Sequence, residues 1–130
     1  MNNRHLLIVA HGSRRMASND EVREVTRKFA LQAHDFERVE CGFLELDDPS
    51  IPQGLINAIE AGAKEVVVLP YFLSAGRHVS EDIPAQIASV QKKHPDINIE
   101  LAPYLGASDR MPEILLAQTL AKTLNSTREL

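Results

Sequence analysis

The sequence predicts an α/β fold, a doubly wound four-stranded parallel sheet with helices on both faces. Four short apolar segments alternate along the chain with four amphipathic segments of helix length. Two of the apolar segments are continuous, which is typical of central strands, and two alternate with polar residues, which is typical of edge strands. With right-handed crossovers these features predict the strand order 2-1-3-4, the flavodoxin-like arrangement.

The central strands are predicted at residues 6–10 and 66–69, where the sequence reads Leu-Leu-Ile-Val-Ala and Val-Val-Val-Leu. The edge strands are predicted at residues 39–43 and 97–101. In the first of these, Val39, Cys41 and Phe43 alternate with Glu40 and Gly42. A period of two puts alternate side chains on opposite faces, so one face of each edge strand is expected to be more exposed to solvent.

The four helices are predicted at residues 18–36, 50–61, 80–94 and 109–124. Ser18 and Glu21 have the spacing of a capping box, and Ser50 is placed as the N-cap of the second helix. The apolar stripes that follow a helical period are Val22-Val25-Phe29-Ala33-Phe36, Leu55-Ile56-Ile59, Ile83-Ile87-Val90 and Ile114-Leu115-Leu120-Leu124.

The composition indicates an ordinary globular chain that forms one domain over residues 1–130, without repeats or linkers. Its net charge of −4 argues against binding to nucleic acid or to an anionic membrane. A single cysteine, Cys41, excludes an intramolecular disulfide and is expected to be a small buried side chain. No signal peptide or transmembrane segment is predicted, so the cytoplasm is the expected location.

Two histidines follow the two predicted central strands. His11 comes directly after the first strand, and His78 lies in the loop after the third. In doubly wound sheets, ligands bind outside the carboxyl ends of the strands where the winding reverses, which here is between these two strands. Neutral imidazole is the commonest metal ligand in proteins. The sequence therefore predicts that His11 and His78 share one metal site, whereas His5, His34 and His94 have structural roles.

An acidic residue emerges at the same edge of the sheet. Glu45 follows the second strand and either completes a His/His/carboxylate set or is a solvated loop residue. Mixed nitrogen and oxygen ligation suits borderline divalent ions such as Fe, Co, Ni or Zn. Asp47 and Asp48 are interpreted as turn residues and as charges near a helix N-terminus.

Four arginines fall on the carboxyl side of the predicted sheet, although arginines are common in loops in general. They are Arg14, Arg15, Arg77 and Arg110. Because guanidinium binds carboxylate bidentately, they predict a rim for a polyanionic ligand. Phosphate-binding glycine motifs and a nucleophile elbow are absent from the sequence, so dinucleotide binding, P-loop chemistry and serine hydrolysis have little support.

Three segments resemble the CbiX-type sirohydrochlorin chelatases. They read Leu-Ile-Val-Ala-His-Gly-Ser-Arg at residues 7–14, Gly-Phe-Leu-Glu at 42–45 and Val-Val-Val-Leu-Pro-Tyr-Phe-Leu-Ser-Ala-Gly-Arg-His-Val at 66–79. The resemblance continues through Asp82-Ile83-Pro84 and covers nearly the whole chain. It implies a class II chelatase that inserts Co²⁺ or Fe²⁺, or Ni²⁺ as in related enzymes, into sirohydrochlorin without ATP or an organic cofactor.

The resemblance also implies a short form that works as a homodimer in cobalamin or siroheme biosynthesis. Family metal-site histidines correspond to His11 and His78, while Glu45 is the third expected catalytic residue. The expected substrate contacts are Arg14, Arg15, Tyr71, Ser74, Arg77 and Arg110. Two alternatives stay open: a non-catalytic tetrapyrrole or metal carrier, and an interaction module in which the histidines are incidental. Which residue takes the pyrrole protons also stays open.

Overall fold

Strands and helices alternate along the chain. The computed structural model describes residues 3–129, with side chains described for residues 3–121. The elements are β1 (Arg4–Ala10), α1 (Met16–Gln32), β2 (Arg38–Phe43), α2 (Ile51–Glu60), β3 (Glu65–Pro70), α3 (Ile83–Lys93), β4 (Asn98–Leu101) and α4 (Met111–Glu129). A π-helical turn (His78–Asp82) leads into α3, and a 3₁₀ turn (Leu105–Ala107) precedes α4.

The four strands form one parallel sheet in the order β2-β1-β3-β4, which confirms the predicted fold class and strand order. The register aligns Val9 of β1 with Pro70 of β3. The two central strands therefore end side by side, and the loops that carry His11 and His78 start from neighbouring points. This is the place where the winding of the sheet reverses.

The core lies between the sheet and the layer formed by α2 and α3. Leu7, Val9, Val66 and Val68 point into it from the central strands, each with 0–1% of its surface exposed. The other face of β3 is less well covered, since Val67 and Leu69 are only half-buried. That strand thus alternates in burial, although its sequence predicts a strand covered equally on both faces.

Helix α1 differs from its prediction at both ends. It begins at Met16 with Arg15 as N-cap, and no side chain caps it, so the predicted capping box of Ser18 and Glu21 is wrong. The reason lies upstream, where the Asn19 side chain bonds to both backbone groups of Ser13 and closes the turn before the helix. The helix ends at Gln32, four residues before the predicted end.

The apolar stripe predicted for α1 is also only partly correct. Val25 is 38% exposed, and the fully buried side chains of the helix are Asn19 and Thr26. Phe36 lies outside the helix, where the Arg4 guanidinium stacks over its ring at 4.6 Å. The face of α1 that meets the sheet is therefore more polar than the period of its hydrophobic residues predicts.

Helices α2 and α3 agree more closely with the sequence. Ser50 caps α2, since its hydroxyl accepts a hydrogen bond of 3.2 Å from the Gln53 backbone N–H. Ile83, Ile87 and Val90 of α3 are buried as predicted. The π-helical turn before α3 was not predicted, because the sequence pattern places the start of a regular helix at Ser80.

Helix α4 begins at Met111 and continues to Glu129, beyond its predicted end at Leu124, whose side chain lies outside the described residues. Its described apolar side chains are exposed, among them Leu115, Leu116 and Leu120. None of the described helices combines the length and the apolar character that a membrane crossing requires.

Candidate metal site at the carboxyl edge of the sheet

The loop after β1 presents His11 in a fixed orientation. The imidazole Nδ1 lies 2.9 Å from the carbonyl oxygen of Gly12. Because a carbonyl only accepts, Nδ1 must carry the ring proton, and the lone pair of the neutral ring is left on Nε2. In the neutral ring, Nε2 is therefore the nitrogen that can accept a cation or a proton, and the backbone of the next residue sets the tautomer.

Gly12 makes this loop possible. It adopts a φ of +94°, and a Cβ at this position would lie 1.8 Å from the carbonyl oxygen of Glu45. The loops after β1 and β2 also share backbone hydrogen bonds, from Leu44 N–H to Ala10 O at 2.9 Å and from Glu45 N–H to His11 O at 3.1 Å. This close approach brings the Glu45 side chain to the histidine.

The Glu45 carboxylate faces His11. Its Oε2 atom lies 3.2 Å from His11 Nε2. With Nδ1 protonated, Nε2 and a carboxylate oxygen are both acceptors, so the contact is favourable only when a proton or a cation lies between them. This pair of atoms is thus arranged to share a proton or a cation.

His78 begins the π-helical turn and reaches the same place. Its ring centroid lies 4.6 Å from that of His11, with 63° between the ring planes. Its Nδ1 atom lies 2.7 Å from Asp82 Oδ2, so Nδ1 donates to the carboxylate and Nε2 is left with the lone pair. Metal-binding histidines are commonly oriented by a carboxylate in this way. The structure brings together the two histidines and Glu45.

The site is open to solvent. The side chains of His11, Glu45 and His78 are 42%, 55% and 47% exposed. Among the residues with described side chains, no three histidine, cysteine or acidic groups already stand in the arrangement of a complete metal site. An ion held by these three side chains alone would have coordination positions left for water or another ligand.

The predicted arginine rim is only partly constrained. The guanidinium of Arg77 pairs with Glu81 at 3.2 Å, one turn along the chain. Within the part of the chain whose side chains are described, Arg14, Arg15 and Arg110 form no ion pair and are exposed. These three guanidinium groups are therefore available to an external anion.

The remaining predicted contacts lie in the loop after β3. Tyr71 continues the strand, since its N–H donates to Val9 O at 2.8 Å, and its side chain is 37% exposed. Ser74 is exposed in the same loop. Of the two apolar residues between them, Phe72 packs against the core and Leu73 is 70% exposed.

Sequence reasoning missed the residues that support this site. Asp82 orients His78, and a signal was present, since the two residues are four apart and Asp82 lies in the first turn of the predicted helix. Asn19, 2% exposed, holds the first loop by its two bonds to Ser13 and donates a third, of 2.8 Å, to Asp47. The position of Asn19 depends on contacts between loops, which hydrophobic periodicity does not describe.

Asp47 is more than the turn residue that its sequence context indicates. Its carboxylate pairs with Arg23 at 2.7 Å. The pKa of Asp47 is lowered, first by the hydrogen bond from the Asp48 backbone N–H and then by Arg23. Together with Asn19, it joins the loop after β2 to the loop after β1 and to helix α1.

A separate cavity of about 650 Å³ lies away from these residues, along β2 between α1 and α2. It is bordered by His5, Cys41 and Arg38 and contains none of the predicted site residues. His5 is 2% exposed and its Nδ1 has no hydrogen-bond partner. Burial lowers the pKa of His5, with a smaller contribution from Arg38. These features agree with a structural role for His5.

Comparison with known proteins identifies relatives of the chain. The family model described as CbiX matches residues 5–121. A "Sirohydrochlorin cobaltochelatase" of Methanococcus maripaludis is 43% identical over 79 residues, which are 61% of this chain and 54% of that protein. A protein of the same name from Sulfurisphaera tokodaii is 31% identical over 124 residues, 95% of this chain and 97% of the relative.

A solved structure has the same fold. The sirohydrochlorin chelatase SirB from Bacillus subtilis subspecies spizizenii, in complex with cobalt, superimposes with a TM-score of 0.76 at 28% identity, covering 85% of this chain and 46% of SirB. The chain thus spans about half the length of SirB and of the Methanococcus relative. With the family model matched across both central strands and the site loops, the chain belongs to the CbiX family.

Proposed function

We propose that this chain is a chelatase, a lyase that inserts a divalent metal ion into sirohydrochlorin without ATP. The observation that carries the proposal is the pair of imidazoles of His11 and His78, whose rings lie 4.6 Å apart and whose Nδ1 atoms are each bonded to an oxygen, which leaves the two Nε2 atoms for the ion. Membership of the CbiX family, and relatives named cobaltochelatase and ferrochelatase, support sirohydrochlorin as the substrate.

In this proposal the metal is a substrate and binds first to His11 and His78. Both rings have Nδ1 tied to an oxygen, of Gly12 and of Asp82, so both use Nε2. Imidazole accepts Co²⁺, Fe²⁺ and Ni²⁺ without strong discrimination, so the metal supplied decides the product. Insertion of cobalt serves cobalamin biosynthesis, and insertion of iron serves siroheme biosynthesis.

The pyrrole protons leave through Glu45. While Nε2 of a histidine holds the ion and its Nδ1 holds a proton, the ring has no lone pair free for another proton. Glu45 Oε2 lies 3.2 Å from His11 Nε2, next to the place where the ion binds and open to water. The carboxylate takes each pyrrole proton as its nitrogen binds the metal, and passes the proton to solvent.

The carboxylate groups of sirohydrochlorin bind to the arginine rim. Arg14, Arg15 and Arg110 carry no ion pair among the described side chains, and Arg77 exchanges Glu81 for the substrate. Tyr71 and Ser74, both exposed after β3, contact the macrocycle and its side chains. Bidentate contacts at several points of the ring fix its plane over the two histidines.

The open site supports a homodimer as the working form. A flat macrocycle has two faces: one copy presents His11 and His78 to the first face, and a second copy covers the other face. In this interpretation residues 1–130 form one lobe of the enzyme. Closing the two lobes around the substrate removes water from the site and strengthens its polar contacts. The cytoplasmic location stays a prediction.

An optical assay of sirohydrochlorin with Co²⁺, Fe²⁺ and Ni²⁺ in turn tests the proposal. We expect His11→Ala and His78→Ala to abolish insertion with the fold intact, and His34→Ala, a histidine outside the site, to leave it unchanged. Insertion at the wild-type rate by either site variant contradicts the proposal. Binding of one equivalent of metal or tetrapyrrole without turnover points instead to a carrier.

A further inference from the structure

We propose that Asn19 is a positioning residue for metal insertion, which holds the Glu45 carboxylate beside His11. This inference rests on the proposed function and deepens it, since it names the group that places the proton acceptor. Asn19 lies in the first turn of α1 and is 2% exposed. With Asp47 and Arg23 it forms a hydrogen-bonded unit, the Asn19 clamp, that ties the two loops of the site together.

The amide of Asn19 is shared between the two loops. Its Oδ1 accepts a hydrogen bond of 2.9 Å from the Ser13 N–H, and its Nδ2 donates to the Ser13 carbonyl at 2.8 Å. Nδ2 also donates to Asp47 Oδ2, at 2.8 Å. Ser13 is two residues after His11, and Asp47 is two residues after Glu45. One buried side chain therefore joins the loop of the proposed metal ligand to the loop of the proposed proton acceptor.

Arg23 holds the other end of the clamp. The Asp47 side chain is 12% exposed, and its Oδ1 lies 2.7 Å from the Arg23 guanidinium. The same oxygen accepts a bond of 2.7 Å from the Asp48 N–H. Arg23 also donates to the Asp48 carbonyl at 3.3 Å and lies over the Phe43 ring at 5.1 Å. These contacts fix the Asp47 carboxylate against α1.

The backbone between Glu45 and Asp47 shows that the clamp directs this loop. Leu46 has a φ of +70°, in the left-handed region that a leucine rarely adopts, with its side chain 52% exposed. Such a conformation persists where the surrounding contacts enforce it. Here Asp47 is held by the clamp, and Glu45 N–H donates to His11 O at 3.1 Å. The turn at Leu46 lets Glu45 face His11 while Asp47 faces Asn19.

The clamp matters for proton transfer more than for metal binding. A proton acceptor must lie within hydrogen-bond reach of the group that loses the proton, and a displacement of about 1 Å costs roughly 100-fold in rate. Glu45 is 55% exposed, so its place beside His11 depends on how its backbone is held. The two histidines, by contrast, are oriented by their own bonds to Gly12 and Asp82.

Asn19→Leu tests the clamp kinetically, because leucine keeps the branched shape and removes all three hydrogen bonds. We expect kcat for insertion to fall roughly 10- to 100-fold, while KM for sirohydrochlorin and Kd for Co²⁺ change by less than about threefold. Thr26→Val is the matched control, since Thr26 is also buried in α1 and bonds within the helix, to Val22 O. An unchanged kcat in Asn19→Leu, or an equal fall in Thr26→Val, would overturn the inference.

A double-mutant cycle determines whether Asn19 acts through Glu45. In Glu45→Gln the acceptor is already lost, so the further change Asn19→Leu should lower the insertion rate by less than about twofold. Multiplication of the two single effects would mean that Asn19 acts independently of Glu45, and would overturn the inference.

A second pair of variants cuts the clamp outside the helix. Asp47→Ala removes the acceptor on the loop after β2, and we expect kcat to fall by about tenfold or more. Asp20→Ala removes the other carboxylate that pairs with Arg23, at 2.9 Å, and is expected to retain the wild-type kcat because Asp20 contacts neither loop through this pair. Equal rates in the two variants would contradict the proposed role. Circular dichroism checks that each variant is folded.

Amide hydrogen exchange measures the clamp without substrate or metal. We expect the Glu45 N–H, which bonds across the two loops, to exchange about tenfold or more faster in Asn19→Leu. The Tyr71 N–H, which bonds to Val9 O, is the internal reference and should change by less than about twofold. Loss of protection at Glu45 in a chain that inserts no metal supports the clamp and contradicts the proposed function alone. Retained protection, with insertion by the wild-type chain, overturns the clamp and leaves the chelatase proposal standing.

Discussion

His78 donates its Nδ1 proton to the Asp82 carboxylate over 2.7 Å, within a single π-helical turn. The two residues are four apart, so the hydrogen bond that orients the imidazole forms within the local backbone. This bond determines which ring nitrogen is free. It is the counterpart of the bond that His11 makes to the Gly12 carbonyl.

Replacement of Asp82 by asparagine should weaken metal binding and preserve the fold. The amide has no negative charge to hold the Nδ1 proton, so we expect the affinity for Co²⁺ to fall by roughly 10- to 100-fold. Calorimetric titration measures the affinity, and ¹⁵N chemical shifts of the imidazole report the tautomer of His78. Glu81→Gln is the control, because Glu81 pairs with Arg77. Wild-type affinity and tautomer in Asp82→Asn would contradict the prediction.

Replacement of Glu45 by glutamine should separate metal binding from insertion. The glutamine side chain is isosteric but its amide cannot take a proton, so we expect the insertion rate to fall by roughly 100-fold or more, the range of general acid–base catalysis. Binding of Co²⁺ by the two histidines should change by less than about tenfold, as one weak ligand is replaced by another. Steady-state kinetics and titration measure the two effects, and an unchanged insertion rate would remove Glu45 from the proton path.

Gly12→Ala should disrupt the site more than Gly62→Ala, although both glycines have positive φ. A methyl group on Gly12 collides with the Glu45 carbonyl, while one on Gly62 meets open space within 4 Å. We expect Gly62→Ala to cost about 1 kcal/mol of unfolding free energy from its backbone conformation alone, and Gly12→Ala to cost roughly 3 kcal/mol or more. Urea denaturation measures both values. Equal costs would show that the two loops do not need their close approach.

The stability of the chain should decrease below about pH 6.5 because of His5. Burial lowers the pKa of His5 in the folded state from its ordinary value of 6.5. Between the two pKa values the unfolded chain binds a proton that the folded chain does not, so the unfolding free energy falls as the pH falls through this window. Denaturation curves at several pH values should show a smaller fall in His5→Leu. His34→Asn is the control, and an identical pH dependence in His5→Leu and wild type would contradict the assignment.

Hydrophobic periodicity was sufficient to predict the sheet. The continuous segments around Ile8 and Val67 identified the central strands, and the strand order followed from the handedness of the crossovers. The ends of the elements were less predictable, since α1 starts where Asn19 bonds to Ser13 and not where Ser18 offers a cap. A tertiary contact of this kind outweighs a local capping preference worth about 1 kcal/mol.

The site was predictable as far as it depends on topology. His11 and His78 come together because parallel strands end at one edge, and this is visible in the sequence once the strands are known. Asp82 was missed because the pattern of α3 places the helix start at Ser80, which leaves His78 in a loop. The exposure of Leu116 and Leu120 was not predictable either, since periodicity identifies an apolar face but not what covers it.

The exposure of the two histidines has a consequence for kinetics. In the proposed complex, His11 and His78 would be 42% and 47% exposed, so water would compete with them for the ion and shorten the lifetime of the complex. A buried, fully coordinated site would retain its metal and slow the insertion step, because stabilising the starting complex raises the barrier to the next step. A solvent-exposed, incompletely coordinated site allows the metal to be released on the timescale of turnover. Weak binding at His11 and His78 would therefore suit the proposed chelatase, since its rate of insertion would depend on how fast the ion is released.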